Sequence, residues 1–379
     1  MLLSPADGSR HTPEADPALR TPGTADEARR QGDGPPLWRR VAVNLGLSVT
    51  ALVVVFLAAE LAVRIVCPHE NIPQRQYDEL LGWRGRPGLD CVLDQGYFKI
   101  RILQNSDGFR DIERTRDAPP GTTRILCCGD SFTWGWGVEQ EAIYTSVLET
   151  MYDREGAKIE VLNAGVGGYS TDHVLLYLRG EGLSYSPDVV IYQAGRNDVR
   201  DNPRALVEQI YSKPVFVLHE DGSLDLQGSP VPPLGFARRL KYVISRHSRL
   251  AYMLKHRLHV QGLTSGPPPA SRPSAVEGGT EGEAGYAFRL FCRLVAEMDD
   301  VCSARGADFV AIIDFALSES ESSYWEEVCC DVDARFLAPY LQRREENTGH
   351  TACIPGDGHW SKDGHRWIAE FLHDNVLTF

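Results

Sequence analysis

The chain has no dense block of lysine and arginine. With a formal net charge of −13 over 379 residues, it lacks the basic face by which proteins hold nucleic acid, and that class of partner is excluded. Its 9 cysteines lack metal-ligand spacing: adjacent pairs such as Cys127-Cys128 and Cys329-Cys330 do not follow the separated pattern of zinc sites, so no metal is assigned. Buried apolar thiol is the expected state of Cys127 and Cys128. Residues 1–36 are short of aromatic and β-branched side chains and rich in Pro, Gly, Asp, Glu and Arg. Such a stretch buries too little surface to offset the entropy of ordering, and a disordered tail is expected.

What is present next is a long apolar run. Residues 41–66 are interrupted only by Asn44, Glu60 and Arg64, and these 26 residues exceed the about 20 that cross a bilayer. Residues 45–59 show no amphipathic stripe, unlike a helix buried in a soluble core. A transmembrane anchor over residues 37–66 is expected, with Glu60 and Arg64 paired on one face or reaching to the interface. Arg29, Arg30, Arg39 and Arg40 precede it, whereas residues 67–71 hold no lysine or arginine. The positive-inside rule then puts the N-terminus in the cytoplasm and the remainder outside the plasma (inner) membrane. A cleaved signal peptide fits less well, because the run is long, starts some 40 residues in and lacks a small-x-small cleavage site. Arg64-Ile65-Val66 before Cys67 does not resemble a lipoprotein attachment site. Outside the membrane, disulfide pairing is permitted.

Residues 67–123 are punctuated by glycine and proline and read as a juxtamembrane collar, with a strand at 97–103 and a turn at Ser106-Asp107-Gly108. From residue 124 the pattern alternates: strand 124–128, helix 142–154, strand 159–162, helix 171–183, strand 188–193. This alternation predicts a parallel sheet with helices on both faces. Residues 199–285 break the rhythm as an insertion, with a hairpin at Asp221-Gly222, a basic helical run at 237–258 and a flexible loop at 262–285. A helix at 287–304, a strand at 308–313 and a last helix at 362–377 complete the domain at 124–379.

Four segments lie at strand ends or helix starts, where open α/β sheets keep their sites. They are Gly129-Asp130-Ser131-Phe132, then Asn163-Ala164-Gly165-Val166-Gly167-Gly168-Tyr169-Ser170, then Gly195-Arg196-Asn197-Asp198, and Asp357-Gly358-His359-Trp360. Taken alone, Ser131 reads better as a helix cap than as a nucleophile. Acyl transfer needs a hydroxyl nucleophile, a base that titrates near neutrality, a carboxylate to orient that base, and donors facing the developing oxyanion. The four segments hold all of these residue types.

On these four ordered blocks the chain resembles an SGNH hydrolase of the GDSL esterase superfamily, over about 250 residues from Arg124 onward. The resemblance implies a three-layer α/β/α, flavodoxin-like sandwich and an esterase that needs no cofactor. It implies Ser131 as nucleophile, His359 as general base and Asp357 as its orienting acid. Ser131, Gly168 and Asn197 would form the oxyanion hole. The family's usual last block is Asp-x-x-His, whereas this chain has Asp357-Gly358-His359, the shorter form found in a membrane-anchored bacterial branch. Leu81-Gly82-Trp83, Asn105-Ser106-Asp107-Gly108-Phe109-Arg110 and the run from Phe132 to Val138 also resemble that branch.

Other residues are weighed against this set. Asp130 and Asp198 read as turn carboxylates. Asp363-Gly364-His365 repeats the Asp-x-His spacing but opens the last helix, where aspartate caps. His173 is a ligand-contact candidate, and Trp134, Trp136 and Tyr169 are candidates to stack on a sugar ring. The expected substrate is a small-molecule or glycan ester, or a lipid ester. An O-acetyltransferase acting on an envelope polysaccharide, fed by an acyl-delivering membrane partner, is a second reading. A non-catalytic anchored carbohydrate-binding protein is a third.

Overall fold

The structure, a computed structural model, describes residues 36–66, 74–207, 211–251 and 282–375. The tail expected at 1–36 lies almost wholly outside these residues, as does most of the loop expected at 262–285. Residues Leu37–Val66 form helix α1, 30 residues long and so about 45 Å at 1.5 Å per residue. Its most apolar window is unburied, and it is long and apolar enough to cross a membrane.

The second unit begins with two antiparallel hairpins. Strands β1 (Arg75–Asp78) and β2 (Gly82–Gly85) form the first, and β3 (Asp90–Asp94) and β4 (Lys99–Leu103) the second. The strand expected from residue 97 starts two residues later, because Tyr97 and Phe98 close the β3–β4 turn.

A five-stranded sheet follows, built from β5 (Thr123–Gly129), β6 (Ile159–Gly165), β7 (Val189–Ala194), β12 (Asp308–Ile313) and β13 (Asp333–Phe336). Its order is β13-β12-β7-β5-β6, and every pairing is parallel. The alternation of side chains along each strand feeds two cores. Ile125, Cys127, Val189, Ile191, Val310 and Ile312 pack with helices α3 (Tyr144–Glu155) and α10 (Lys362–Asn375) on one face. Leu126, Cys128, Val190, Tyr192, Ala311 and Ile313 pack with α4 (Thr171–Gly180) and α7 (Glu283–Ser303) on the other. The chain is therefore a three-layer α/β sandwich. Helix α7 starts four residues ahead of the expected helix, inside the stretch expected as loop.

Three further helices complete the described elements of the sheet domain: α2 (Ser131–Trp134), α5 (Arg196–Asp201) and α8 (Glu319–Val328), while α9 (Ala338–Thr348) leads into the last loop. Between residues 199 and 285 lie hairpins β8–β9 (Leu206–Val207 with Tyr211–Ser212) and β10–β11 (Val215–Leu218 with Leu224–Gln227), then α6 (Phe236–His247). Cys127 and Cys128 are free thiols, both fully buried in the sheet.

Candidate active site

Ser131 sits where β5 gives way to α2, and the local sequence accounts for its placement. Gly129 ends the strand because a Cβ there would stand 2.4 Å from Thr133 Oγ1 and 2.9 Å from Gln193 Oε1. Asp130 caps α2, its Oδ1 accepting from the Phe132 amide at 2.9 Å. Its other oxygen does not turn to backbone: Oδ2 accepts from Asn197 Nδ2 at 2.8 Å. Asp130 is thus structural, as expected, but its second partner is a side chain of the third block. Burial pushes the Asp130 carboxyl above the usual carboxylate range, against the pull of the Phe132 and Asn197 hydrogen bonds. A primary amide nitrogen carries two hydrogens, so the Asp130 bond fixes the Asn197 side chain and leaves one hydrogen for another acceptor.

His359 arrives from the loop after α9. Its Nε2 lies 2.8 Å from Ser131 Oγ, and its Nδ1 lies 2.5 Å from Asp357 Oδ1. The one-residue-shorter Asp-x-His block therefore still brings the carboxylate to the ring. The loop is pinned on both sides: Ile354 N–H donates to the His359 carbonyl at 2.7 Å, and Trp360 is buried behind it. Phe132 and Trp136 tilt against the imidazole at centroid distances of 4.8 and 5.8 Å. Asp357 Oδ2 accepts from Trp136 Nε1 at 3.2 Å and from the Tyr97 hydroxyl. Partial burial opposes ionisation of Asp357, but the Tyr97 and His359 hydrogen bonds prevail and hold its carboxyl below the usual range.

The second block forms a turn in which Tyr169 N–H donates to the Val166 carbonyl at 3.0 Å. Gly168, its third residue, has φ +80°, a conformation that favours glycine there. A Cβ on Gly168 would lie 2.7 Å from Arg75 Nη1, which itself donates to the Gly167 carbonyl at 2.8 Å. Asn163 braces the turn from below, donating to the Thr133 carbonyl at 2.9 Å and accepting from the Gly165 amide at 2.9 Å. Gly168→Ala combines a strained φ with this contact and is expected to lower kcat/KM for ester hydrolysis at least about tenfold. Adding Arg75→Ala relieves the contact but leaves the strained φ, so partial recovery in the double variant is the readout.

A cleft of about 750 Å³ joins Ser131, Gly168, Asn197, Asp357 and His359. Trp134 and Trp136 line it, whereas Tyr169 does not: Tyr169 is buried with its hydroxyl donating to the Trp83 carbonyl. His173 is likewise outside the cleft, buried with its ring 4.5 Å from Trp83 and stacked 4.6 Å from Tyr169. His365 is fully buried, accepting from the Tyr144 amide, and desolvation drives its pKa down to about 3. Asp198 accepts from the Gly195 amide at 2.7 Å and from Tyr192. Sequence reasoning missed Arg75, Gln104 and Tyr97, which the hairpins bring to the site. It also missed Asp314, just past β12, whose Oδ2 accepts from Trp360 Nε1 at 3.0 Å.

Burial, reinforced by Asp130 and opposed by the Trp360 bond, pushes the Asp314 carboxyl up to about 7. A folded-state pKa above the unfolded one means that the unfolded chain releases its proton first. Stability is full below about pH 4 and falls as pH rises through about 7, by at most about 4 kcal/mol. Asp314→Asn keeps an acceptor for Trp360 and removes the titration. Its thermal midpoint should exceed the parent's by more at pH 8 than at pH 5, measured by circular dichroism melts.

A serine against a histidine whose other nitrogen meets a carboxylate, at the C-terminal edge of a parallel α/β sheet, is a layout shared by serine hydrolases. The chain belongs to the GDSL-like Lipase/Acylhydrolase family, whose model matches residues 127–367. It is 25% identical over 107 residues to an arylesterase of Vibrio mimicus, covering 28% of this chain and 54% of that protein. The chain thus spans about half the length of that relative. Among solved structures it is similar to the psychrotrophic esterase EstA from Pseudoalteromonas sp., at 14% identity over 67% of this chain and 96% of that one, with a TM-score of 0.37. It is similar also to the acetyl xylan esterase AlAXEase, at 13% identity over 67% and 100% of the two chains, with a TM-score of 0.37.

Proposed function

We propose that the enzyme cleaves esters through an acyl-enzyme on Ser131. The observation that carries this reading is the contact of Ser131 Oγ with His359 Nε2 at 2.8 Å while Asp357 holds the opposite ring nitrogen. His359 Nε2 takes the hydroxyl proton as Oγ bonds to the carbonyl carbon, and the carbonyl electron pair moves to oxygen. The Ser131 and Gly168 amides and the second Asn197 hydrogen would stabilise that oxyanion. Collapse breaks the ester C–O bond, and the protonated imidazole returns its proton to the leaving alkoxide. Water then attacks the acyl-serine by the same proton route and frees the acid.

The proposed setting is outside the plasma (inner) membrane, with α1 as a single-pass anchor and the N-terminus in the cytoplasm. Arginines before the span and the lack of lysine and arginine in residues 67–71 directly after it support that orientation. In this arrangement residues 67–123 act as a collar to the domain at 124–379, residues 199–285 form an insertion, and the substrate is an extracytoplasmic carbohydrate or lipid ester. A fluorophosphonate probe incubated with the full chain, followed by peptide mass spectrometry, tests the chemistry. Adduct on Ser131 is expected, and absence of any adduct there refutes it. Feeding an acetyl donor with a glycan acceptor and comparing free acetate with acetylated glycan then separates hydrolysis from transfer.

A further inference from the structure

We propose that the active-site cleft takes an ester carrying an anionic oxygen group, a carboxylate or phosphate borne on a glycan, and that Arg200 and Arg204 read that group. This inference deepens the esterase reading above and rests on it. The arrangement begins in the sequence of α5 and the turn after it. Asn197, Arg200, Asp201 and Arg204 are spaced i, i+3, i+4 and i+7, the spacing that keeps side chains on one helical face, and all four line the cleft. Arg204 N–H donates to the Asp201 carbonyl at 3.0 Å, so the winding continues past the end of α5.

Both guanidiniums are ordered by one carboxylate. Arg200 makes two bonds to Asp201, at 2.9 and 2.7 Å, and Arg204 makes one at 3.2 Å. Each guanidinium carries about five N–H donors, and these 3 are all the side-chain bonds the pair makes among the described residues. The cluster therefore keeps a surplus positive charge and unused planar donors beside the cleft, held in place before any ligand arrives. Arg200 remains largely exposed, while Arg204 is the more enclosed. A third cation, Arg75, lines the same cleft against the Gly167–Gly168 turn. Three arginines line the cleft together with three aspartates, of which Asp130 is engaged by Asn197, Asp357 by His359 and Asp201 by the arginine pair itself, and paired donors of this kind match carboxylate and phosphate oxygens.

Helical rise places Arg200 about 5 Å along the axis from Asn197, and Arg204 follows in the turn just past the end of α5. With Asn197 beside the reacting carbonyl, an anion on the same or the adjoining sugar ring falls within their reach.

The test compares kcat/KM of the full chain in detergent for three probes: an O-acetylated galacturonate oligosaccharide, an O-acetylated sugar phosphate, and an O-acetylated neutral xylo-oligosaccharide. A preference of at least about tenfold for either anionic probe is expected, weakening as salt rises. The arm that shows the preference identifies the anion. In Arg200→Gln/Arg204→Gln the preference should collapse toward one through KM, and Arg200→Lys/Arg204→Lys should retain part of it. Equal kcat/KM for all three probes in the parent overturns the inference, as does a preference that the glutamine variant keeps. Should the glutamine variant fail to fold, the parent's preference and its salt dependence decide. Loss of Ser131-dependent turnover on every probe would instead refute the esterase reading itself.

Discussion

Ser131→Ala is expected to lower kcat for p-nitrophenyl acetate by about four to six orders of magnitude, leaving only what substrate positioning and the oxyanion donors supply. The size of the effect follows from the division of labour. His359 and Asp357 remain in place, but without Oγ the acyl group has no atom to bond to, and an activated water must bridge a gap built for a covalent step. The cost to the fold is small by contrast. Among the described residues the Ser131 hydroxyl makes one hydrogen bond, to His359, and one such bond contributes about 0.5–1.5 kcal/mol. The variant should therefore melt within a few degrees of the parent and retain its near-ultraviolet circular dichroism. Activity above about one part in a hundred, with contaminating esterase excluded by fluorophosphonate labelling, would show that another nucleophile carries the reaction.

The residues that were legible in the sequence are those whose position follows from their own neighbours. Gly129-Asp130-Ser131 could be placed because a buried apolar run ended in a glycine, and the structure keeps that strand-to-helix junction, although the cap is Asp130 and not the Ser131 that the sequence suggested. The sheet was legible for the same reason, since 125–128, 189–193 and 308–313 are apolar runs bounded by turns. Tyr97 was not legible, because its role depends on a hairpin folding back to a carboxylate 260 residues further along the chain. Arg75 is equivalent: only the tertiary contact of β1 with the Gly167–Gly168 turn gives it a place. Residues between 314 and 361 carried no readable rhythm. Strand β13 is only partly buried and α9 is polar after its first turn, so neither the two-residue nor the 3.6-residue period shows. Asp314 was not legible either, because its contact with the Trp360 indole forms only when the loop of the fourth block folds against the end of β12.

The surroundings of Asp357 determine what its conversion to asparagine would do. Its Oδ2 faces two donors, the Trp136 indole N–H and the Tyr97 hydroxyl, while Oδ1 faces His359 Nδ1 and, at 3.2 Å, the His359 backbone N–H. An amide in that position keeps its oxygen toward the two donors, since turning it would set N–H against N–H. Its NH₂ is then presented to His359 Nδ1, which must accept, and the ring proton moves to Nε2. That tautomer points a hydrogen at Ser131 Oγ and cannot take the hydroxyl proton. Asp357→Asn is therefore expected to reduce kcat by about two to four orders of magnitude with KM little changed, although the side chain has nearly the same shape. Tyr97→Phe removes one of the two donors and leaves the carboxylate, so its effect should be far smaller, within about tenfold. Steady-state kinetics on p-nitrophenyl acetate separate the two variants. An Asp357→Asn enzyme within tenfold of the parent would mean that the short contact to His359 orients nothing, and that the one-residue-shorter Asp-x-His block does not supply the carboxylate that the imidazole needs.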